Sequence, residues 1–538
     1  MKQYHRQSLA LLATIVGVAC FSNLIQAQED VSTGPDPLVK SDVKSSYMRG
    51  VTSDFTSRVA TLRLLNARGA ADGSITIRAL LLDSAGNEFR WQSTLGAFSA
   101  DVGCRAAAPV RSSASKVDER LWTAGTPSTS AVVLCDNSMM SGTVARDVVR
   151  SLRNILPDVS GRDSIGVVLF DHDLLELTPI SPVVAATEKC NPDVVTAADG
   201  LNAVYSACMS GLAMLSDQHQ GRVLIVVTTS DDNASVSVTT ADIVRRAAEL
   251  QASIYVIRVG QSSRAYPYRY LSAATGGRLY TISDDDCASV GSIVREILYA
   301  SKHGLEISVP ANLQSASCDD IWLKLRFEQD TTSPILFDSL LLPMKTRAYR
   351  TSPAIVATFA DTTEVGLQSF YPILASMAEQ LMADSTIRIE LIGHVSGDVK
   401  GNSDDRAFER TEFVQGFLVA YGVKKKQIVL RSEGSRRPLY YLQLDGAQRL
   451  LNNRVEARFL VADDEPYTIT LDQVATEEQA GKLADVWEQR GYKAYFEAGV
   501  ANRIPVYRVK LWGYRSIAEA QKEVVALKKY KPKSSIIE

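Results

Sequence analysis

The sequence lacks long apolar runs beyond its first residues, dense basic stretches, and paired cysteines or histidines. After residue 30, no apolar run approaches the ~20 residues that a membrane-spanning helix needs, so we expect no transmembrane span in the mature chain. The net charge of -3 is small for 538 residues, and no polybasic run favours nucleic acid or a membrane surface as a partner. No CxxC motif and no His/Cys pair has the spacing of a metal site.

Histidine is also scarce, with five in the whole chain. His5 lies in the N-terminal segment, and His219 and His303 are isolated. His172 stands between Asp171 and Asp173, and neighbouring side chains point apart, so these three are typical of a solvated turn. We find no nucleophile with a base and no catalytic pair of carboxylates, and we therefore expect no enzymatic activity.

Residues 1–27 have the three parts of an export signal. Two basic residues precede an apolar stretch from Leu9 to Phe21, and Ile25-Gln26-Ala27 offers a small-residue cleavage site. The alternative is a lipoprotein signal, in which Cys20 would be acylated. Residues 28–45 are polar, with Gly and Pro, and are expected to be a flexible lead-in.

Export makes the cysteine count informative, because exported proteins can form disulfides. Six cysteines remain once Cys20 is set aside: Cys104, Cys135, Cys190, Cys208, Cys287 and Cys318. Their wide spacing does not choose among the possible pairings. Cys135 lies within an apolar run, which favours a small buried hydrophobic residue over a bridge partner.

The chain is too long for one hydrophobic core, and about 150 residues per domain predicts a multidomain protein. Residues 46–127 contain short β-rich runs separated by turn signals, namely VATLRLL, SITIRALLL and NEFRWQS. Strand patterns return in residues 303–350 as GLEISVP and IWLKLRF. Because isolated strands cannot bury a core, we expect these two segments to form one β-sandwich around an inserted domain.

Residues 128–302 alternate between strands and helices. The strands are continuous apolar runs, as expected when both faces of a sheet are covered: SAVVLCD, SIGVVLFD, RVLIVVTT and ASIYVIRVG. This pattern predicts a doubly wound parallel sheet, with ligands beyond the carboxyl ends of its strands. Asp136 stands at such an end.

The region resembles the von Willebrand factor type A domain through LCDNSMMSG, GLNAVYSACMSGLAML, TTSDDN and LSAATGGRLYTI, in that order. The complete metal site of that family has a DxSxS strand end, a threonine and a further aspartate, which are hard oxygen donors suited to Mg²⁺. Asp136 and Ser138 match the first motif. Met140 replaces its second serine, although Ser141 is adjacent, and a thioether is a poor Mg²⁺ ligand.

The other two loops also depart from the family pattern. Asn202 takes the position of the threonine and Thr229 that of the aspartate. Asp231 and Asp232 are near enough to substitute only if the loop is rearranged. We therefore expect a strand end that keeps the fold without the ion, so that no cofactor is bound; Mg²⁺ at Asp136, Ser138, Ser141 and Asp231 is the alternative.

Residues 351–462 predict a βαβαβ order followed by a last strand. They resemble the peptidoglycan-binding C-terminal domain of the outer-membrane protein A (OmpA) family through Gly393-His394, Arg410 and Asn453-Arg454-Val455-Glu456. In that family an aspartate and the helix arginine hold the zwitterionic diaminopimelate of the wall peptide. His394 matches a family position that has no catalytic duty.

The resemblance implies a wall-binding site in this segment, with Arg410, Ser396, Asp398, Asn453 and Arg454 as candidates. Arg410 is present, while Ser396 occupies the aspartate position and Asp398 lies nearby. An ordinary surface arginine is the alternative interpretation of Arg410.

Residues 463–538 predict a β-α-β-β-α-β order, typical of a ferredoxin-like sheet. They resemble the sporulation-related repeat (SPOR) domain, chiefly through NRIPVYRVKLWGYRSIAEAQ. SPOR domains bind peptide-stripped glycan strands on their sheet face, which implies sugar stacking on aromatic rings. The candidates are Tyr467, Tyr495 and Trp512, followed by Tyr507 and Tyr514, which apolar neighbours frame.

Together the resemblances imply a periplasmic protein associated with the cell wall or outer membrane. It would bind peptidoglycan through glycan strands and the diaminopimelate peptide, and dock envelope proteins through its type A domain. One alternative is a metal-dependent adhesin or receptor whose C-terminal domains are spacers. Another is a structural subunit of a secretion, motility or attachment complex, with both wall modules adapted to protein contacts.

Overall fold

The computed structural model describes residues 59–69, 74–84, 88–89, 95–104, 110–119, 128–138, 143–159, 161–196, 201–218, 221–235, 238–260, 265–310, 320–329, 333–343, 353–360, 370–398, 401–440, 443, 445–460, 467–501, 504–528 and 530. Several predictions made above fall outside this part of the chain: the export signal and lead-in, Met140, Ser141, His219 and Cys318.

Strands are numbered in chain order. They are β1 Thr61–Gly69, β2 Ser74–Leu82, β3 Ala97–Cys104, β4 Val110–Ser113, β5 Lys116–Glu119, β6 Thr129–Asp136, β7 Ser164–Phe170, β8 Leu174–Pro182, β9 Gly221–Thr228, β10 Ala252–Val259, β11 Leu279–Ile282, β12 Leu305–Pro310, β13 Asp320–Glu328, β14 Leu336–Pro343, β15 Ala354–Thr358, β16 Arg388–His394, β17 Ile428–Gly434, β18 Arg454–Leu460, β19 Tyr467–Val474, β20 Ala494–Ala501 and β21 Ile504–Tyr514.

Helices are numbered in the same way. They are α1 Val144–Ile155, α2 Val183–Lys189, α3 Val204–Met214, α4 Thr240–Leu250, α5 Ala265–Ala274, α6 Ser289–Ala300, α7 Tyr371–Ala383, α8 Ser403–Ala420, α9 Gly446–Asn452, α10 Glu477–Gln489 and α11 Ile517–Leu527. The chain is thus a mixed α/β protein with both parallel and antiparallel sheets.

Residues 59–119 and 305–343 form two antiparallel sheets, ordered β1-β2-β12-β5 and β14-β13-β3-β4. Each sheet combines strands from both sides of the intervening α/β region: Leu305 pairs with Ala79, and Leu323 pairs with Val102. Inward-facing side chains of both sheets share one core, in which the rings of Phe98 and Phe327 lie 4.8 Å apart. We call this unit the sandwich.

The α/β unit (residues 128–302) is one sheet ordered β11-β10-β9-β6-β7-β8. All neighbours are parallel except β8, which runs antiparallel to β7 at the edge. Every residue of β6 is buried, because helices cover both faces of the sheet. Asp136, at the carboxyl end of β6, therefore lies at one edge of a fully packed sheet.

The third unit (residues 353–460) has the sheet order β15-β18-β16-β17, with α7 and α8 packed against it. Helix α8 approaches β16 closely at Gly393, where a Cβ atom would lie 2.0 Å from the Ala407 carbonyl oxygen. A side chain at this position would push the helix away from the strand. Glycine here fixes the distance between the two elements that carry His394 and Arg410.

The C-terminal unit (residues 467–530) is an antiparallel sheet ordered β19-β21-β20, with α10 and α11 on one face. Trp487, Phe496 and Leu511 belong to the core between helices and sheet. The last strand that the sequence predicts, SSIIE, falls outside the described residues. No described helix is long and apolar enough to span a bilayer.

Four of the cysteines have described side chains. Cys135, Cys190, Cys208 and Cys287 are free, buried thiols. Burial raises the pKa of the Cys190 and Cys287 thiols to about 11, and that of Cys135 further still. These side chains act as small apolar residues in the cores of the α/β unit.

Candidate functional site

The carboxylate of Asp136 sits at the carboxyl end of β6 and is almost wholly buried. Its Oδ1 accepts hydrogen bonds from the Ser138 backbone N–H at 3.0 Å and from the Ser138 hydroxyl at 2.7 Å. Its Oδ2 accepts from the Thr229 N–H at 3.0 Å, the Thr229 hydroxyl at 2.7 Å and Asn202 Nδ2 at 3.2 Å. Both oxygens are therefore satisfied by the protein itself.

These residues do not fit a magnesium ion. In the type A pattern, positions 202 and 229 supply oxygen ligands, whereas here Asn202 and Thr229 direct N–H groups at Asp136. An amide N–H group offers no lone pair to a cation, so these two groups are not Mg²⁺ ligands. Within the described ranges, no group of three or more His, Cys, Asp or Glu side chains is arranged to hold a metal. In the described residues, the carboxylate of Asp136 is thus surrounded by hydrogen bonds from Ser138, Asn202 and Thr229.

The two aspartates of the third loop have other roles. Asp232 accepts from the N–H groups of Tyr205 and Ser235, each at 2.9 Å, and ties the loop to α3. Burial raises the pKa of Asp232 to about 7. The charge of Asp231 acts on Arg258 and Tyr268, towards α5. Asp231 therefore lies within electrostatic reach of β10 and α5, and its assignment as a metal ligand stays a prediction.

The strand-end loops are covered by the third unit. The Ile355 N–H donates to the Asn233 carbonyl at 2.6 Å, which joins β15 to the third loop. Leu201 packs against the hydrophobic core of the third unit. Burial and the charges of Asp445 and Asp136 raise the pKa of Tyr440 to about 12, so Tyr440 lies within electrostatic reach of Asp136. The edge of the sheet at the carboxyl end of β6 is therefore an internal contact of the chain.

The second candidate site lies at the carboxyl end of β16, beside α8. Arg410 Nη1 donates to the His394 carbonyl and to Asn453 Oδ1, both at 2.8 Å. Asn453 Oδ1 also accepts from the Ser396 N–H at 2.9 Å, and the Ser396 hydroxyl donates to Asp398 Oδ1. The structure thus brings together four of the five candidate residues.

The orientation of Arg410 is fixed by its surroundings. Its side chain is only 7% exposed, and its guanidinium lies over the Phe359 ring, 5.3 Å from the centroid. Phe359 was not a candidate, because a lone aromatic residue after a strand carries no sequence signal for this role. Asp398 is exposed and also pairs with Arg449 at 3.0 Å. A fixed guanidinium and an exposed carboxylate lie at the two ends of one hydrogen-bonded chain.

Arg454 is not part of the accessible site, which corrects its assignment as a wall-binding residue. Its guanidinium is buried and pairs with Glu456 at 2.7 Å. Glu456 Oε2 lies 3.2 Å from His394 Nε2, inside the unit. Burial and the charge of Arg454 lower the pKa of His394 to about 4, so His394 is neutral at pH 7. Arg454 stabilises β18 from within.

The aromatic candidates of the C-terminal unit are not exposed. Tyr467 packs against the core beneath the helices, on the face opposite to Trp512. Tyr495 and Trp512 share the other face of the sheet, but they are only 6% and 4% exposed. They contact Tyr266 and Tyr270 of α5, which sequence reasoning did not single out. In this conformation the expected stacking platform is closed to solvent.

Comparison with known proteins identifies one part of the chain. Residues 463–538 match the SPOR domain family, which confirms the SPOR domain predicted there. No curated protein matches the chain.

Three solved structures are similar to parts of the chain. The conserved hypothetical protein BatB from Bacteroides thetaiotaomicron is 14% identical, with TM-score 0.26, over 32% of this chain and 98% of that chain. The vWF domain of the type V pili tip protein Mfa5 from Porphyromonas gingivalis is 8% identical, with TM-score 0.27, over 34% and 98%. The C-terminal domain of Helicobacter pylori MotB is 22% identical, with TM-score 0.18, over 20% and 84%. With TM-scores below 0.5, these likenesses carry no argument about function.

Proposed function

We propose that this chain is a non-catalytic, periplasmic cell-envelope protein that associates with peptidoglycan. The match of residues 463–538 to the SPOR domain family carries the proposal, because SPOR domains bind peptidoglycan. Export by the N-terminal signal would place the protein in the compartment that holds the wall. The third unit, with its resemblance to the OmpA family, supplies a second wall-binding candidate.

The geometry around Arg410 supports recognition of the wall peptide. The guanidinium is held by the His394 carbonyl and Asn453, which orients a cation at the site. Asp398 supplies the exposed carboxylate that the family has at the position of Ser396. We propose that Arg410 binds the carboxylate of a diaminopimelate side chain while Asp398 binds its ammonium group.

The α/β unit serves protein contacts in this proposal. Its strand end is covered by the third unit, so the free edge of the sheet is the better docking surface. Strand β8 forms this edge, and Leu174, Leu175 and the neighbouring Val184 of α2 are exposed. Exposed apolar side chains on an edge strand are typical of interaction sites. An envelope protein is the partner that we propose for this edge.

A second candidate function is a structural subunit of an envelope secretion, motility or attachment complex. The observation that favours it is the burial of Tyr495 and Trp512 against the α/β unit, since a wall module used this way has been adapted to protein contacts. The metal-dependent adhesin is not supported, because the donors around Asp136 do not fit a cation.

Co-sedimentation of the full mature chain with isolated sacculi tests the proposal. We expect the protein to pellet with intact wall, and Arg410→Ala to weaken that binding about tenfold, because a charge-assisted hydrogen bond is lost. Arg406→Ala is the matched control: Arg406 lies on the same helix but is exposed, and its side chain pairs with Glu409. Failure of the wild-type protein to pellet with sacculi would contradict the proposal.

A further inference from the structure

The sheet of the C-terminal unit has two faces with different neighbours. Alternate residues of β21 divide between them: Val509 and Leu511 enter the core under the helices, while Lys510 and Trp512 point to the opposite face. Tyr495 of β20 lies beside Lys510 on that second face. We call this second side of the sheet the open face, because neither of the unit's described helices covers it.

The open face is covered by aromatic and apolar residues of two other units. Tyr266 and Tyr270 of α5 and Leu341 of β14 form one buried cluster with Tyr495 and Trp512. The rings of Tyr266 and Trp512 meet edge to face with centroids 6.0 Å apart. Edge-to-face aromatic contacts of this kind add to the burial of apolar area.

A lysine side chain also contacts the aromatic rings of this cluster. The ammonium group of Lys493 lies 4.8 Å from the Tyr266 ring centroid and 5.0 Å from that of Trp512. A single lysine thus contacts one ring from each unit, which fixes the two units relative to one another.

The rest of the open face is covered by charged contacts with the third unit. Glu497 pairs with Lys510 at 2.7 Å and with Arg437 of the third unit at 2.7 Å. Burial alone would raise the pKa of Glu497, but Arg437 and Lys510 hold it at about 2. The Val500 N–H donates to the Arg436 carbonyl at 3.1 Å. Lys510 is 1% exposed, so the face is closed at this position, whereas the start of β21 is partly exposed.

One further ion pair lies at the rim of this contact. Arg269 of α5 pairs with Glu488 of α10 at 3.4 Å, and both side chains retain some exposure. Sugar rings that stack on Tyr495 or Trp512 need the space that Tyr266 and Tyr270 occupy. Binding of a glycan strand and docking of the α/β unit therefore compete for the same surface.

We propose that the open face is an interaction surface for the chain's own α5, β14 and residues 436–437, and that glycan strands reach it only when the C-terminal unit is released. This inference rests on the proposed association with peptidoglycan and adds a condition to it. While the C-terminal unit is docked on the α/β unit, the Arg410 site makes the contact with the wall. The SPOR surface binds glycan only after release.

The test uses the full mature chain with Arg269→Glu and Tyr270→Ala combined. The first change places two carboxylates together at the rim, and the second removes a ring that belongs to this cluster and not to the core of the α/β unit. Hydroxyl-radical footprinting of Trp512 reports release directly, because oxidation requires solvent at the indole ring. Adding Glu488→Arg restores the ion pair in reversed orientation and serves as the rescue variant.

The ligand for the binding measurement is wall glycan stripped of its peptides. We expect weak binding by the wild-type chain, at least fivefold tighter binding by the variant with exposed Trp512, and partial return to weak binding in the rescue. Unchanged glycan binding despite an exposed Trp512 would overturn the inference, as would wild-type binding that equals the variant's. If Trp512 stays protected in the variant, Trp512→Ala in the wild-type background is the second test. Loss of glycan binding in Trp512→Ala would show that the wild-type chain already uses the open face, and it would overturn the inference.

These results are separable from the proposed function. The wild-type chain could bind intact sacculi while release of the C-terminal unit gives no tighter binding to stripped glycan. That result would refute only the inference that the open face is closed. Absence of binding to intact and stripped wall by all variants would refute the association with peptidoglycan itself.

Discussion

Single residues decide what the strand end of the α/β unit does. Asn202 and Thr229 occupy positions where the type A pattern has a threonine and an aspartate, and both donate hydrogen bonds to Asp136. The sequence identifies these substitutions, but it does not reveal that the new side chains satisfy the carboxylate. That result depends on loop geometry, because the same residues turned outward would leave Asp136 exposed to a cation.

Thr229→Asp tests the hydrogen-bonded strand end. The new carboxylate would face Asp136 without a donor, so we expect a loss of about 1–3 kcal/mol in the free energy of unfolding in EDTA. Mg²⁺ should restore part of this loss in the variant, as measured by thermal unfolding with and without the ion. Thr229→Asn is the neutral control and should show no response to Mg²⁺. A wild-type melting temperature that falls on adding EDTA would contradict the account.

The buried imidazole of His394 gives a pH-dependent stability. Its pKa is lowered from 6.5 to about 4 in the fold, so the unfolded chain takes up a proton first as the pH falls. The stabilisation is complete above pH 6.5 and decreases as the pH falls towards 4, by up to about 3 kcal/mol. We expect the free energy of unfolding, measured by denaturant between pH 7 and 4, to depend less steeply on pH in His394→Gln than in the wild-type protein. Equal slopes for the two proteins would refute the assignment.

At the scale of elements, hydrophobic patterns predicted most strands and helices. Continuous apolar runs indicated the parallel strands of the α/β unit, and β6, β7, β9 and β10 form where those runs lie. Pro372 lies in the first turn of α7, where a residue without a backbone N–H is tolerated. The run NEFRWQS was predicted as a strand, but of its described residues only Glu88 forms an isolated bridge, with Leu82.

The close approach of α8 to β16 is a property of two elements and offers a further prediction. Gly393→Ala would force a Cβ atom against the Ala407 carbonyl, so we expect destabilisation of about 1–3 kcal/mol and weaker binding to sacculi. Gly397→Ala is the matched control in the same segment, since a Cβ atom there meets nothing within 4 Å. Equal stability and equal wall binding for the two variants would contradict the role of Gly393 in placing Arg410.

At the scale of the whole molecule, the sequence predicted the units but not how they pack. Alternation along β20 and β21 showed that only some of the aromatic residues can face outward. It gave no sign that Tyr266 and Tyr270 cover those side chains, because contacts between residues about 240 positions apart leave no local pattern. The pairing of Arg437 with Glu497 could not be predicted from the sequence for the same reason.

The buried ion pairs between the third and C-terminal units should contribute to stability. Glu497→Gln leaves Arg437 and Lys510 without their shared carboxylate, so we expect a loss of about 3 kcal/mol in the unfolding free energy. Glu478→Gln, which removes an exposed pair with Lys482 in the same unit, should leave the unfolding free energy nearly unchanged. Chemical denaturation of the full chain compares the two, and similar losses would argue against a buried network.

The most direct test of the whole account compares retention of the wild-type chain on intact sacculi and on sacculi stripped of peptides. If Arg410 binds the wall peptide and the open face is closed, the chain is strongly retained on intact wall. Retention on stripped wall is then at least fivefold weaker. Equal or stronger retention on stripped wall would contradict it, because the glycan surface of the C-terminal unit would then be available in the folded chain.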